Sequence, residues 1–245
     1  MTDPKPVLIW DLPVRLFHWS MAVTFVAAFA IATLSSEHSL AFTVHMLLGL
    51  VLVFIVFLRI AWGVVGSRYA RFTSFAFSPA ALLRYLRDAR AGRDQPRPGH
   101  NPGSSYAIYA MLAIPLALGA TGLWGGELTE DLHAILAYAL AGVAVLHLLG
   151  LVWHTIRHRE RIALSMFSGL RRGVGTEGLS SARPLAAILF LVLIGAWSAT
   201  LVSGYDAAKQ QIVLPIVGTT LKLGEPEERE HGGTAERGDD DDDDD

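Results

Sequence analysis

Five long apolar stretches dominate the pattern of hydrophobic and polar positions along the chain. They lie at about 16–34, 40–62, 106–124, 131–154 and 185–203. A helix of roughly 20 predominantly apolar residues is long enough to cross the hydrocarbon core of a bilayer. The pattern therefore predicts an all-α integral membrane protein with five spanning helices, the fifth of them C-terminal.

The connection between the second and third stretches carries a helical pattern of its own. Ser78 followed by Pro79 is typical of a helix N-terminus, where serine caps the helix and proline fits its first turn. Apolar residues recur after them at helical spacing with arginines in between. Two placements fit this helix, one on the lipid headgroups and one packed on the end of the bundle. The segment His100–Gly103 then predicts a turn into the third span.

Composition agrees with a membrane protein and excludes several kinds of site. The chain has 245 residues, of which 52% are hydrophobic and 18% charged, against about 45–50% and about 25% in soluble domains. It contains no cysteine, which excludes disulfides, thiolate metal sites, iron–sulfur clusters and cysteine-attached haem. Histidine, which occurs nine times, is the strong ligand that remains for a soft metal.

The placement of arginine predicts the orientation of the spans. The connection 63–105 and the segment after the fourth span are rich in arginine, whereas the other two connections carry acidic charges only. Cytoplasmic connections of membrane proteins carry an excess of arginine and lysine. We therefore expect a cytoplasmic N-terminus and a C-terminus on the periplasmic or equivalent side. Because the basic charge reflects topology, no nucleic-acid partner is expected.

The chain divides into three predicted parts. Residues 1–176 form the transmembrane bundle, residues 177–204 the additional helix, and residues 205–245 a periplasmic tail. Most residues beyond position 224 are acidic and the last seven are aspartates, a self-repelling composition that predicts disorder. The short apolar run at 212–217 is open to two interpretations, a strand or a contact with a partner.

Four histidines lie within the predicted spans, where ionisable residues are costly and usually functional. His133 and His147 are 14 residues apart on the fourth span, so they leave one face of the helix about 21 Å apart. His45 lies at the depth of His133, and His18 lies at the depth of His147. Two imidazole pairs at two levels fit the axial positions of two haem irons, and bundle interiors commonly hold such sites.

Other interpretations of these four histidines stay open from the residues themselves. They also fit polar contacts between helices, a proton-transferring histidine chain or a metal transporter. A transporter would favour acidic residues well inside the spans, and the sequence has none there. Gly49, one turn from His45, and Gly150 would let a porphyrin approach the backbone, which favours haem.

The remaining histidines receive weaker assignments. His154 lies at the edge of the fourth span and is a candidate iron ligand or, better, a contact for quinone or a haem propionate. Three histidines fall in connections and are expected to be solvated, namely His38, His100 and His158. His231 lies in the tail and is expected to have no role.

A combination of motifs runs through the first 170 residues. The segment Trp10–Trp19 opens the first span, and the second span carries His45, Gly49 and Arg59 before the segment 62–72. The segments 99–102 and 121–122 and the spacing of the two histidines on the fourth span complete the set. Over about residues 8–170 these motifs resemble the bacterial cytochrome b561 family. Its fold is shared with the b-type cytochrome subunits of nickel–iron hydrogenases and formate dehydrogenases.

The resemblance implies two b-type haems in a four-helix core. The residues that match the family's ligand positions are His18, His45, His133 and His147. We therefore expect a di-haem cytochrome in the lipid membrane that transfers electrons between the quinone pool and a periplasmic partner such as a cytochrome c. An alternative is a membrane-anchoring cytochrome b subunit of a hydrogenase or formate dehydrogenase-type complex. Quinol oxidoreductase activity and a homodimer are compatible with both.

Three arginines near the cytoplasmic side are candidate partners for haem propionates, because guanidinium pairs with carboxylate through two parallel hydrogen bonds. They are Arg15, Arg59 and Arg68. The alternative is that these arginines only set the topology at helix ends. The fifth helix and the acidic tail depart from the short family members, so the resemblance assigns them no function.

Overall fold

The structure is a computed structural model that describes residues 5–36, 39–95, 97, 99–124, 126–171, 178–209, 211–213, 218 and 220–222. Its helices are α1 (Leu12–Leu34), α2 (Leu40–Val65), α3 (Pro79–Arg90), α4 (Pro102–Trp124), α5 (Glu127–His158), α6 (Ser165–Ser168) and α7 (Pro184–Ser203). Its strands are β1 (Val7–Leu8), β2 (Leu170–Arg171), β3 (Tyr205–Asp206), β4 (Gln211–Val213) and β5 (Thr220–Lys222). The predicted all-α fold class is confirmed, with two small sheets added to it.

Five helices, α1, α2, α4, α5 and α7, are long and apolar enough to cross a membrane. They coincide with the five predicted spans and extend beyond several of them. The largest extension is in α5, which begins at Glu127 and ends at His158. Acidic residues in the first turn of α5 and basic residues in its last turn interact favourably with the helix dipole. The helix therefore extends beyond its apolar stretch at both ends.

The start of α1 is tied to the end of α2 by one buried carboxylate. Asp11 Oδ1 accepts a hydrogen bond from the backbone N–H of Val14 at 2.8 Å and so caps α1. Asp11 Oδ2 accepts a hydrogen bond from Trp62 Nε1 at 3.1 Å. Asp11 is fully buried, so both of its oxygens are used in holding the first two spans in register.

The predicted helix in the arginine-rich connection is present as α3. Ser78 Oγ accepts a hydrogen bond from the backbone N–H of Ala81 at 3.2 Å, which confirms the predicted cap. The ring of Tyr85 packs at the start of α4, where it lies 3.1 Å from the position of a Cβ on Gly103. Exposed leucines on α3 leave an apolar surface free beside this contact.

The spanning helices associate as two hairpins. α1 packs along α2, α4 packs along α5, and contacts between α2 and α4 join the two pairs. α5 makes its extensive contacts with α4 rather than with α1 or α2. The histidines of α1 and α2 therefore face α5 across the bundle rather than at a tight helix–helix contact.

The fifth spanning helix, α7, is not one of the three helices that carry the intramembrane histidines, namely α1, α2 and α5. α7 packs against α1 and α2. The ring centre of Phe190 lies 4.9 Å from that of Phe17 and 5.6 Å from that of Trp62. Trp197 stacks on Phe54 at 5.1 Å. α7 therefore packs against the hairpin of α1 and α2 and contributes no intramembrane histidine.

Two small antiparallel sheets were not predicted as such. β1 pairs with β2, and β3, β4 and β5 form a second sheet in that order. Ile212 on β4 is fully buried and packs with Leu201 near the end of α7. The first two residues of the apolar run at 212–217 therefore lie in a strand, whereas residues 214–217 are outside the described residues.

Several predictions fall on parts of the chain that the structure does not describe. They concern the disordered acidic end beyond residue 224, together with Glu37, His38, Arg172 and His231. These stay predictions.

Candidate functional site

The four intramembrane histidines lie at two levels of the bundle. We call the end at which α1 and α4 begin the arginine-rich end, and the other end the opposite end. His45 and His133 each lie in the second turn of their helices, α2 and α5, at the opposite end. His18 lies in the second turn of α1 and His147 about three turns before the end of α5, both towards the arginine-rich end.

At the opposite end, the imidazoles of His45 and His133 face each other. Their ring centres are 6.1 Å apart and their planes are inclined by 76°. Two imidazoles that bind one metal ion from opposite sides, with metal–nitrogen bonds of about 2 Å, place their ring centres about 6 Å apart. The spacing therefore fits one metal ion held between the two rings.

Both rings at this level are hydrogen-bonded at Nδ1. His45 Nδ1 lies 2.9 Å from the carbonyl oxygen of Ala28, which only accepts, so Nδ1 carries the proton. His133 Nδ1 lies 3.0 Å from the hydroxyl of Thr121, which accepts from it when its own proton is donated to the carbonyl of Ala117 at 3.0 Å. Nδ1 is thus the bonded nitrogen of each ring, and Nε2 is the nitrogen available to a metal.

The level towards the arginine-rich end is less completely bonded. His18 and His147 lie within electrostatic reach of each other, and the ring of His18 meets that of Trp19 edge-on at 5.0 Å. Nδ1 of His18 is buried, and no described residue gives it a hydrogen-bond partner. Buried polar atoms are nearly always paired in proteins, so this level is chemically incomplete in the protein chain itself.

The three candidate arginines differ in what surrounds them. Arg59 is 6% exposed; its Nη2 donates to the carbonyl of Ala70 at 3.3 Å, and its buried Nη1 has no partner among the described residues. Arg15 donates to the backbone carbonyls of Met166 and Phe167. Arg68 is exposed. Arg59 is therefore the arginine with a buried donor to spare.

His100 is half-buried against aromatic rings rather than solvated, so that expectation is wrong. Its ring lies 4.7 Å from the ring of Trp10 and 4.6 Å from that of Phe75. Its Nε2 is buried, and the described part of the chain supplies no hydrogen-bond partner for it. Burial, and then the positive charge of Arg59, lower the pKa of His100 to about 3, so its ring is neutral. The sequence feature that indicates its burial is the position of His100 just before the third span.

His154 and Arg171 both bind the same carboxylate. The side chain of Arg171 is 1% exposed and binds Glu160 through both of its oxygens, at 2.7 and 2.9 Å. His154 Nε2 lies 3.2 Å from Glu160 Oε2. Burial by itself would raise the pKa of Glu160, but the hydrogen bonds from His154 and Arg171 lower it to about 2. Glu160 is therefore ionised at neutral pH.

A second imidazole extends this cluster, and its predicted solvation is also wrong. His158 Nε2 lies 2.8 Å from Asp94 Oδ2, and its side chain is 13% exposed. The rings of His154 and His158 are 4.5 Å apart. A cavity of about 10 Å³ beside His154 is about the size that one water needs. The cluster joins the end of α5 to the connection before α4.

Two of the glycines singled out in the sequence border open space. A Cβ added at Gly49 or at Gly150 would meet no described atom within 4 Å. Gly49 lies one turn from His45 along α2. A side chain at position 49 would therefore enter open space on the face of α2 that carries His45.

A family model described as prokaryotic cytochrome b561 matches residues 9–169, well over half of the chain. The chain belongs to the prokaryotic cytochrome b561 family. The cytochrome is thus a multi-pass membrane protein that binds haem b and takes part in electron transfer. The match includes the first four spanning helices, three of which carry the intramembrane histidines, and it ends before α7. In the same comparisons, no curated protein and no solved structure matched the cytochrome.

Proposed function

We propose that this protein is a di-haem membrane cytochrome that transfers electrons between the quinone pool and a periplasmic redox partner such as a cytochrome c. The observation that carries the proposal is the facing pair His45 and His133, with ring centres 6.1 Å apart. Both Nδ1 atoms are hydrogen-bonded, so both Nε2 atoms are free to bind iron. The open space beside Gly49 is where the edge of a porphyrin would lie.

A second haem is proposed between His18 and His147. The two imidazoles lie about four helical turns from the first pair, measured along α5, and are within electrostatic reach of each other. The unpartnered Nδ1 of His18 and Nη1 of Arg59 are the kind of atoms that a bound porphyrin with its carboxylates would satisfy. A bound haem supplies a one-electron couple between ferric and ferrous iron.

The protein's own contribution is to hold the two sites at different depths and to set their surroundings. Imidazoles 14 residues apart on one helix face lie about 21 Å apart along its axis, so the sites serve the two membrane faces. The arginine-rich end faces the cytoplasm and the protein lies in a bacterial inner membrane, because positive charge is concentrated on the cytoplasmic side of such proteins. The described residues contain no group of three or more side chains that could hold a transported metal ion.

The predicted role of His154 as a contact for quinone or propionate stays a prediction. Its Nε2 is bonded to Glu160 at 3.2 Å, and the neighbouring cavity of about 10 Å³ takes one water rather than a ring. A quinone head group at His154 would therefore require this pair to open.

Counting haems per polypeptide tests the two-haem proposal. Quantitative pyridine haemochrome analysis of the purified full-length protein is expected to give two haems per chain. His133→Ala and His147→Ala are each expected to remove one, whereas the control His158→Ala keeps both because His158 bonds Asp94. One haem per chain in the unsubstituted protein, or two in His133→Ala, would contradict the proposal.

Electron transfer across a membrane tests the proposed partners. Protein reconstituted in liposomes is expected to be reduced by a quinol supplied in the bilayer, and to reduce a soluble cytochrome c added outside. Absorbance of both cytochromes follows the reaction. Reduction by quinol with no transfer to any soluble acceptor would favour the alternative of a membrane-anchoring subunit.

A further inference from the structure

Several buried polar atoms towards the arginine-rich end lack a hydrogen-bond partner within the described chain. Two of them are Nη1 of Arg59 and Nε2 of His100. Arg59 is 6% exposed, and a buried donor that has lost water without gaining an acceptor is costly. The unused donor of Arg59 therefore indicates a ligand that accepts hydrogen bonds.

Both groups border the same aromatic pair. The guanidinium of Arg59 lies 5.6 Å from the ring centre of Phe72, and His100 meets Phe75 edge-on at 4.6 Å. The rings of Phe72 and Phe75 are 5.7 Å apart. His100 is also within electrostatic reach of Arg59 and of His147. Arg59 and His100 therefore border one aromatic cluster on the side of the bundle where His147 lies.

The chemistry of the donors identifies the class of ligand. A guanidinium and a neutral imidazole N–H together suit a carboxylate, whose two oxygens can accept from two directions. The nearby acid Asp11 does not fill this role, because its oxygens accept from Val14 and Trp62. A carboxylate on a group bound to the protein would fill this role.

We propose that Arg59 and His100 together bind one propionate of the haem held at the level of His18 and His147. Arg59 donates from Nη1 and His100 donates from Nε2. This inference rests on the proposed function, which assigns a haem to that level. His100 is thus a positioning residue, which fixes the edge of the haem without touching the iron.

The propionate clamp formed by Arg59 and His100 predicts a change in the midpoint potential of the haem, which a purely structural role would not cause. The two donors offset the negative charge of the propionate. Removing either donor leaves more of that charge uncompensated, which stabilises ferric over ferrous iron and lowers the midpoint potential of that haem. The haem between His45 and His133 is about 21 Å away along α5, so its potential should be unaffected.

Redox titration of the purified full-length protein in lipid nanodiscs tests the clamp. His100→Leu is expected to lower the potential of one haem of the two, and His100→Gln, which keeps an N–H donor, to restore most of it. Arg59→Met is expected to lower the same haem further, by at least tenfold in its reduction equilibrium or about 59 mV. Arg59→Lys should restore part of that loss.

Controls separate the clamp from packing and from the two-haem proposal. Phe75→Leu removes the ring contact of His100 but no donor, so the potential should stay. His147→Ala identifies which of the two potentials belongs to this level. Fewer than two haems in the unsubstituted protein would overturn the proposed function itself. With two haems present, unchanged potentials in His100→Leu and Arg59→Met would overturn only the clamp.

Two further outcomes are decisive. Loss of one haem in His100→Leu but not in His100→Gln supports the clamp, and equal loss in both variants contradicts it. Unchanged potentials combined with slower reduction by quinol would assign the pair to a quinone head group instead and overturn the propionate.

Discussion

The two ends of the bundle hold their histidines in different ways. At the opposite end, His45 and His133 face each other with both Nδ1 atoms bonded, to Ala28 and Thr121. Towards the arginine-rich end, three buried nitrogens have no partner among the described residues, namely His18 Nδ1, Arg59 Nη1 and His100 Nε2. The protein chain itself fixes the first site, whereas the second leaves donors for a ligand to complete.

The difference indicates what holds the side chains of each site in place. Ligand rings that are already hydrogen-bonded lose little freedom when they bind a metal. Unpaired buried donors instead gain their partners on binding, so the ligand stabilises the fold around them. The arginine-rich end also has polar contacts further out, where His158 bonds Asp94 and Arg171 donates to the carbonyl of Arg97, so that the end of α5 and the segment after it are joined to the connection before α4.

The largest expected effect comes from filling the open space at the opposite end. Gly49→Leu is expected to remove one haem of two, because its side chain would occupy the space beside His45, which is empty of described atoms within 4 Å of a Cβ. Gly195→Leu on α7 is the matched control, since Gly195 has the same free surroundings outside the histidine core. Haemochrome analysis measures both, and two haems in Gly49→Leu would show that this space faces lipid.

A smaller effect is expected from breaking the ionic cluster at the arginine-rich end. Glu160→Gln leaves the buried guanidinium of Arg171 facing a neutral amide, which should cost roughly 3 kcal/mol. Thermal unfolding measures the loss, and Glu130→Gln at an exposed position of α5 is the control. Equal melting temperatures for the two variants would show that the cluster does not stabilise this end.

The contribution of the same cluster to stability should depend on pH in the acidic range. The pKa of Glu160 is about 2 in the folded protein against an ordinary value of 4.5. Its ionised form is therefore favoured by folding, and the stabilisation is present above about pH 4.5 and lost as pH falls towards 2. In this window, the unsubstituted protein should lose more stability than Glu160→Gln. Parallel melting curves for the two proteins would contradict the assignment.

The smallest expected effect concerns the bonding at Nδ1. Thr121→Val removes the acceptor for His133 Nδ1–H, so the imidazole becomes a weaker donor to iron. We expect about tenfold weaker haem retention and a higher midpoint potential for the haem at the opposite end. Thr33→Val is the control, because Thr33 bonds the carbonyls of its own helix as Thr121 does. Equal retention in both variants would mean that the opposite end is not fixed by this bond.

The sequence predicted the spanning helices and the levels of the four histidines correctly because both depend on local properties. Apolar length sets a span, and the helical repeat sets which face His133 and His147 share. The cap at Ser78 is likewise local and was predicted. By contrast, His100 and His158 were expected in solvent, because the rings and carboxylates that bury them come from distant segments.

The amino-acid pattern alone thus predicts the membrane-spanning plan and places four histidines at two depths. The packing of the helices sets which nitrogens are hydrogen-bonded, since Ala28 and Thr121 reach His45 and His133 from neighbouring helices. Packing also buries Nη1 of Arg59 and Nε2 of His100 without a partner among the described residues. Helix formation follows from short-range hydrogen bonds, whereas these partners are set by how the hairpins pack.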